Sequence, residues 1–338
     1  MPAISVVITT HNLSGHIGQC LSDLYGQTMQ DFKILIVDDC STDETIAIAE
    51  SYRDRLSGRF DVIALEHNLG LPALVRNAAI ESGKLDGDYI LFLDGDDRIE
   101  ENMLETLYTA AVSNSADVAV CAYDRVEIDT GKVLGVEMTS FGNDVRNDLM
   151  NGDTIAFINT AQWNKLWKRD TILGLTFAPI RIGEDACFNY QAFLRSKRVV
   201  FTDKVLIHYS VRSASVISNT SQKDVWDFER VLRGFYSEAA GNSRDNAGML
   251  VYIHIGLSMA LRIADNPAID LKGHVRETVL IFKSVYRMFK GNRLLRLLSL
   301  CGHGLKGFLI WCTLMAYRTG LFPLVLKVYK LTGITMRF

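Results

Sequence analysis

The chain lacks paired cysteines. Its six cysteines are scattered and none forms a Cys-x-x-Cys pair; they are Cys20, Cys40, Cys121, Cys187, Cys301 and Cys312. This pattern excludes the usual zinc sites and a disulfide framework, because both need cysteines at characteristic spacings. Unpaired cysteines are typical of a reducing compartment, so we expect a cytosolic location.

Long apolar segments are also absent. The nearest approach is the 11-residue segment 307–317, which is bounded by Lys306 and Arg318. A membrane-spanning helix needs about 20 apolar residues, so this segment is too short. The first residues lead directly into an apolar segment, without the basic start and cleavage site of a signal peptide. We therefore expect neither a membrane-spanning helix nor a leader.

Charge is unevenly distributed along the 338 residues. Residues 271–338 contain 12 Lys/Arg and a single acid, Glu277, whereas the whole chain has a net charge of −3. The first 270 residues are therefore strongly acidic. An acidic body followed by a basic region indicates two parts with different partners.

Apolar segments of strand length alternate with helical patterns in the first third of the chain. Buried strands are predicted at 4–10, 32–37, 61–65, 89–93 and 117–123, with helices at 17–25, after Asp43, up to Ser82 and at 100–113. Such alternation implies βαβ units and a mostly parallel sheet. A hairpin is predicted at 124–140, and mostly helix after residue 222.

Polar turns follow the first, second and fourth predicted strands, at 9–12, 38–39 and 94–97. The carboxyl ends of parallel strands share one edge of a sheet, where ligands bind. The acidic turn Asp94-Gly95-Asp96-Asp97 has two interpretations. It could hold a divalent metal and a diphosphate, or it could be a solvated turn before a helix that starts near Glu100. The convergence of the three turns favours a ligand site.

A series of short motifs, taken in order, resembles the inverting family-2 glycosyltransferases. They are 5–12, 27–28, 36–43, 68–70, 75–77, 92–97, 163–167, 183–185 and 208–212. The resemblance covers residues 3–215 and implies the GT-A fold of nucleotide-diphospho-sugar transferases, a Rossmann-like, mostly parallel sheet flanked by helices. We predict a GT-A domain at 1–220 and a helical, basic and amphipathic C-terminal region at 221–338.

The resemblance also implies a binding site for the nucleotide-sugar donor. It assigns Thr9, His11, Asp39, Asn68, Arg76, Asp94 and Arg212 to that site. A carboxylate such as that of Asp39 suits the N–H of uracil. The neighbouring Asp38 could have a structural role and cap its own turn. Arg76 either faces the nucleotide or lies on a solvent-facing helix side. The fork of Arg212 suits phosphate oxygens.

A metal site is implied at Asp96, which would hold Mg²⁺ or Mn²⁺ with the donor phosphates. Asp97 is either a second ligand or the cap of the following helix. His208 is either another ligand or a core histidine. Residues 213–221 are small and polar, as in a mobile lid or an ordinary loop.

The same resemblance points to Asp185 as the base that deprotonates the acceptor, with Glu184 and Trp163 on the acceptor side. Without the resemblance, two acids at the start of a helix are typical of capping and dipole compensation. Trp163 could equally be a core residue, because tryptophans pack well in cores.

The basic C-terminal region contains a predicted amphipathic helix at 276–290, with basic residues on one side and apolar residues on the other. Such a helix can lie on an anionic membrane surface. It could instead pack on the catalytic body or on a second copy of the chain in a homo-oligomer. Nucleic acid is not an expected partner, because these helices are too apolar and no binding motif is present.

Together these features predict a metal-dependent glycosyltransferase, peripheral on the cytoplasmic face of the inner membrane. It would move a hexose or N-acetylhexosamine from a UDP-sugar, with inversion, to a glycan or glycolipid acceptor. Two alternatives remain: a sugar nucleotidyltransferase and a non-catalytic nucleotide-sugar-binding protein. The first usually has a Gly-rich, Arg-containing loop after its first strand, which the sequence Thr-Thr-His-Asn-Leu-Ser does not resemble.

Overall fold

The computed structural model describes residues 1–56, 58–147, 157–211, 221–238, 270–286 and 304–332. The chain divides into two compact units, residues 1–149 with 159–218 and residues 150–158 with 219–338. Every strand in the described part of the chain lies in the first unit. The domain boundary predicted between 220 and 221 stays a prediction.

The first unit is built on one ten-stranded sheet. Its strands are β1 (Ile4–Thr10), β2 (Phe32–Asp38), β3 (Phe60–Ala64), β4 (Tyr89–Asp94), β5 (Arg98–Ile99), β6 (Val118–Glu127), β7 (Val133–Glu137), β8 (Val145–Asn147), β9 (Lys165–Lys168) and β10 (Arg198–Val211). Their order is β3-β2-β1-β4-β9-β6-β10-β5, with β7 paired to β6 and β8 paired to β10. The first four strands are parallel, as predicted, whereas β9 pairs antiparallel with both β4 and β6.

Helices cover both faces of this sheet. They are α1 (Ile17–Tyr25), α2 (Thr45–Glu50), α3 (Pro72–Glu81), α4 (Met103–Ser113), α5 (Arg169–Ile172) and α6 (Glu184–Arg195). The bounds of α1 are those predicted, and its buried residues 17, 20, 21 and 24 follow the helical period. Asp43 was predicted to cap α2, but the N-cap position is Glu44; Asp43 lies one residue earlier, and its Oδ1 accepts the backbone N–H of Thr45 at 3.0 Å.

Aromatic side chains fill the space between β4, β9 and α6. Phe92 of β4 contacts Phe177 and Phe188 edge to face, and those two rings stack on each other at 4.0 Å. Trp167 of β9 packs against Phe188 and Phe193. Edge-to-face and offset-stacked rings of this kind add stability beyond their buried area. This packing fixes α6 against β4 and β9 along its length.

The region after β4 differs from the prediction. The helix expected from Glu100 begins at Met103, because Arg98 and Ile99 pair with β10 before the chain can turn into α4. Gly95 does not adopt a positive φ in this turn. The position is tight instead, since an added Cβ would lie 3.1 Å from Cδ1 of Leu13, which would have to move by a few tenths of an ångström.

The described part of the second unit is helical, as predicted. Its helices are α7 (Gln222–Glu238), α8 (Leu271–Tyr286), α9 (Gly304–Thr319) and α10 (Phe322–Thr332). In α9 the side chains of Ile310, Leu314 and Tyr317 are buried, and Tyr317 stacks on Phe322 at 3.9 Å. Residues 287–290 of the predicted amphipathic helix lie outside the described residues. None of the helices that the structure describes combines the length and apolarity required to cross a bilayer.

Candidate active site

The ends of β1 and β2 are joined by hydrogen bonds at the carboxyl edge of the sheet. Thr10 Oγ1 donates to Asp38 Oδ1 at 2.8 Å, and the Asp39 backbone N–H donates to the Thr10 carbonyl at 2.8 Å. Asp38 is 1% exposed and also accepts the backbone N–H and the hydroxyl of Ser41. These contacts give Asp38 the capping role that the sequence left open.

Asp39 fixes the loop that follows β3. Its Oδ1 accepts the Leu69 backbone N–H at 2.6 Å, and its Oδ2 accepts that of Gly70 at 3.0 Å. Gly70 has a φ of +70°, a conformation that favours glycine. Asp39, which is predicted to bind uracil, therefore already accepts two backbone N–H groups. Its carboxylate retains further lone pairs for the N–H of uracil.

His11 lies between the turns after β1 and β2. Its Nδ1 is 2.7 Å from the carbonyl oxygen of Asp39, and since a carbonyl only accepts, Nδ1 carries the proton. Nε2 is then the acceptor for the side-chain amides of Asn12 at 3.1 Å and Asn68 at 3.2 Å. His11, Asp39 and Asn68 thus form one cluster. Thr9 is in register with Asp94 on the neighbouring strand, so the predicted base and ribose sites share this edge.

Arg76 of α3 joins three carboxylates. It is 4% exposed, which excludes the solvent-facing alternative. Nη2 contacts Asp94 Oδ1 at 3.0 Å, while Nη1 contacts Asp185 Oδ1 at 2.9 Å and Glu184 Oε1 at 3.3 Å. The guanidinium also lies 5.4 Å from the ring centre of Phe177. The acidic turn after β4 and the first turn of α6 are therefore held side by side by one buried cation.

Strand β10 runs along the acidic turn. The Ser210 hydroxyl donates to the Asp96 carbonyl at 2.9 Å, and the Ser210 backbone N–H donates to Asp97 Oδ1 at 2.9 Å. Asp97 is 1% exposed and precedes the start of α4 by six residues, so it does not cap that helix. It anchors β10 to the turn instead. Arg212, the next predicted donor ligand on this segment, lies outside the described residues.

His208 contacts two carboxylates. Nδ1 lies 2.8 Å from Asp124 Oδ1 and Nε2 lies 3.0 Å from Glu100 Oε1. Both ring nitrogens are therefore engaged in this arrangement, which favours a structural role. Its role as a metal ligand stays a prediction.

Comparison with known proteins decides the family. Residues 5–166 match the model of Glycosyl transferase family 2. The glycosyltransferase GlyG of Streptococcus pneumoniae serotype 4 is 30% identical over 229 residues, which are 63% of this chain and 72% of GlyG. The chain belongs to glycosyl transferase family 2.

Two further similarities describe the extent of the match. EpsH of Bacillus subtilis (strain 168) is 33% identical to this chain over 233 residues. These residues make up 66% of this chain and span 64% of the length of EpsH. The crystal structure of S. aureus TarS 1-349 in complex with UDP-GlcNAc superposes with a TM-score of 0.69 at 22% identity, over 94% of this chain and 92% of that one. This likeness confirms the predicted GT-A fold.

Burial sets the protonation of the acids around Arg76 in the transferase. It raises the pKa of Glu184 well above its ordinary range; Asp185 adds to the rise and Arg76 opposes it. Burial also raises the pKa of Asp185, to about 6, while Arg76 lowers it, Asp94 raises it and Lys165 lowers it. For Arg76, burial lowers the pKa, but Asp185, Asp94 and Glu184 together raise it above its usual value. Asp185 is therefore poised to bind a proton near neutral pH.

The acidic turn after β4 was predicted to hold a metal together with the phosphates of the donor. Among the described residues, no group of three or more His, Cys, Asp or Glu side chains is placed to hold a metal by itself. Mg²⁺ and Mn²⁺ do not need such a group when one or two carboxylates act together with substrate phosphates and water. Asp96, half-buried next to Asp94, stays the predicted carboxylate of such a set. Family members are commonly dependent on a divalent metal.

The structure adds Gln162, which was not singled out in the sequence, and shows how the predicted acceptor-side residue Trp163 packs. Gln162 donates to Asn189 Oδ1 at 2.7 Å and to the Asp185 carbonyl at 3.4 Å. Trp163, 5% exposed, stacks on Tyr209 at 5.2 Å and contacts Tyr123 edge to face at 4.6 Å. Its acceptor-side role stays a prediction. Gln162 precedes the motif at 163–167 directly, and that adjacency was the only signal in the sequence.

Proposed function

We propose that this family-2 transferase moves a hexose or N-acetylhexosamine from a UDP-sugar to a glycan or glycolipid acceptor, with inversion and with Mg²⁺ or Mn²⁺. The observation that carries the proposal is the triple contact of Arg76 with Asp94, Glu184 and Asp185. These contacts hold Asp94, the predicted ribose ligand, and Asp185, the predicted general base, within reach of one guanidinium. The UDP-GlcNAc bound to TarS, a protein of similar fold, supports the choice of donor.

The donor would bind along the edge formed by β1, β2 and β4. In this proposal Thr9, His11, Asp39 and Asn68 hold the base and Asp94 holds the ribose. Asp96 would hold the metal, whose charge neutralises the departing diphosphate. Arg76 has three carboxylate partners already, so it acts by fixing Asp94 and Asp185 rather than by binding phosphate.

Asp185 would act as the general base. Its Oδ1 is bound by Arg76, and 22% of its side chain is exposed, which leaves it open to an acceptor. As the acceptor hydroxyl attacks the anomeric carbon, Asp185 takes the hydroxyl proton and the bond to the diphosphate breaks. Attack opposite the leaving group inverts the anomeric centre. Glu184 and Trp163 would contact the acceptor, and Arg212 the diphosphate.

The C-terminal helices would place the site near a membrane-bound acceptor. Residues 271–338 are strongly basic, and the side chain of Arg276 is exposed on α8. Each basic residue near an anionic leaflet contributes about 1 kcal/mol, so several give reversible attachment. We propose peripheral binding on the cytoplasmic face, with a second copy of the chain as the alternative partner for this surface.

Release of UDP tests the catalytic part of the proposal. The purified protein is incubated with a panel of UDP-sugars and Mn²⁺, and UDP is measured with and without EDTA. Asp185→Asn should lower release by on the order of 10²-fold or more, because general bases contribute 10²–10⁴-fold. Asp96→Ala should also lower release strongly, because the departing diphosphate would lose the metal that neutralises it. Asp129→Asn, which changes an exposed acid in the β6–β7 turn, is the matched control. Undiminished release from both active-site variants would contradict the assignments.

The same preparation separates the two alternatives. A non-catalytic binding protein would be stabilised against heat by UDP-sugars, by mass action, without releasing UDP. A nucleotidyltransferase would release pyrophosphate from UTP and a sugar phosphate. Either result would replace the proposed transfer reaction.

A further inference from the structure

Lys165 of β9 is a charged residue in the interior of the first unit. Its relative exposure is 0%, and it is the largest charged side chain among the fully buried residues. Burial lowers its pKa to about 7, while Asp185 raises it. A lysine is almost never buried in this way without dedicated partners, because removing the ammonium from water is costly.

Four oxygen atoms surround the ammonium. Nζ lies 2.9 Å from the carbonyl and 2.8 Å from Oδ1 of Asn159, 2.6 Å from the carbonyl of Ala161 and 2.9 Å from Oδ1 of Asn164. All four oxygens can only accept, and an ammonium supplies three N–H donors. The geometry therefore favours the protonated form, which ties both ends of the segment 159–164 to β9.

The segment 159–164 is connected to α6. Gln162 donates to Asn189 Oδ1 and to the Asp185 carbonyl, and Asn189 donates to the Thr160 carbonyl at 2.7 Å. Side chains two residues apart on a strand lie on the same face, so Lys165 shares a face with Trp167. Trp167 packs against α6, so the ammonium lies on the side of the sheet that α6 covers.

We propose that Lys165 is a positioning residue whose ammonium fixes residues 159–164 and, through Gln162 and Asn189, holds the first turn of α6 with Asp185 in place for transfer. The catalytic consequence rests on the proposed function; the structural linkage does not. Four titratable groups interact electrostatically with Asp185 in the described structure: Arg76 from α3, Asp94 from β4, Glu184 from its own turn and Lys165 from β9.

Hydrogen exchange of the full chain tests the linkage without any substrate. In Lys165→Met, the amides of 159–164 and of the first turn of α6 should exchange at least about tenfold faster, because local opening controls exchange there. The amides of β1 and β2 should not change. Lys168→Met, which alters an exposed lysine on the same strand, is the matched control. Unchanged protection in Lys165→Met would overturn the proposal.

A second variant keeps the linkage testable if Lys165→Met does not fold. Gln162→Leu leaves the ammonium and its four oxygens intact but removes the contacts to Asn189 and the Asp185 carbonyl, together with the hydrogen bond that Trp167 Nε1 donates to Gln162 Oε1 at 3.1 Å. We expect faster exchange in the first turn of α6 and normal exchange at 159–161. Equal effects on both segments, or on neither, would refute the relay through Gln162.

Kinetics test the catalytic consequence. Misplacing a catalytic group by about 1 Å can cost on the order of 10²-fold, so kcat for UDP release should fall strongly in Lys165→Met. KM for the donor should change by less than about threefold, because none of the predicted donor ligands lies on β9 or in the segment 159–164. Loss of the positive charge should also move the acid limb of the pH profile to higher pH. An unchanged kcat and pH profile would overturn the catalytic role. If the wild type releases no UDP, the proposed function fails while the exchange experiment still decides the linkage.

Discussion

Replacing Arg76 by Met should destabilise the first unit strongly. The guanidinium is 4% exposed and contacts Asp94, Glu184 and Asp185, so its loss leaves three acids without their shared cation. Removing one partner of a buried ion pair costs about 3–5 kcal/mol. Asp94 is 32% exposed and can be solvated, which favours the lower end of that range. For a domain of this size, we expect the melting temperature to fall by roughly 10 °C.

The loss of stability in Arg76→Met should depend on pH in a defined direction. Without Arg76, the pKa values of Glu184 and Asp185 rise further, because the cation that lowers both is gone. The folded variant then binds more protons than the unfolded chain across the weakly acidic to neutral range. Its stability is therefore lost as pH rises through the raised pKa values and partly recovered as pH falls. The deficit should be larger at pH 8 than at pH 5.

Urea denaturation at both pH values measures this effect. Arg146→Met is the control, because Arg146 forms an exposed pair with Asp144, at 49% and 42% exposure. Exposed pairs contribute at most about 1 kcal/mol, so this variant should remain near the wild type. An Arg76→Met protein as stable as the control at pH 8, or equally destabilised at both pH values, would refute the electrostatic reasoning.

Three further changes have defined outcomes. The rate of UDP release should fall as pH drops through about 6, since Asp185 must be ionised to act as a base; a flat profile to pH 5 would contradict this. Asp39→Asn should lower the free energy of unfolding by about 1–3 kcal/mol in urea denaturation, because the new amide N–H₂ would face the backbone N–H of Leu69 or of Gly70. A cost equal to that of Asp129→Asn would argue against it. Gly95→Ala should cost about 1 kcal/mol, because the added Cβ would lie 3.1 Å from Cδ1 of Leu13 and that side chain would have to move; an unchanged melting temperature would contradict this.

The parallel half of the sheet could be predicted from local pattern. β1, β2 and β4 are predominantly apolar, which is typical of strands that are covered on both faces. Because such strands share a carboxyl edge, the convergence of the turns at Thr10, Asp38 and Asp94 also followed. The bounds of α1 were recovered for the same reason, since the apolar period of a helix is a local signal.

Contacts between distant parts of the chain could not be predicted. Arg76 meets Glu184 and Asp185 across more than one hundred residues, and nothing in α3 indicates which acids it contacts. The two-residue strand β5 exists only because β10 pairs with it, so a helix was predicted too early after Asp97. Lys165 lies within a recognised motif, but its burial depends on four oxygens supplied by the folded segment 159–164.

The late position of β9 in the chain has a consequence during synthesis. β4 ends at Asp94, but its antiparallel neighbour is not complete until Lys168 has been made. At about 5–20 residues per second, the ribosome needs roughly 4–15 s to cover that interval. Throughout this time the hydrogen-bonding edge of β4 is unpaired, and bare edges template aggregation. Nascent chains stalled near residue 130 should therefore bind holdase chaperones more strongly than chains stalled beyond residue 220, and equal binding would contradict this.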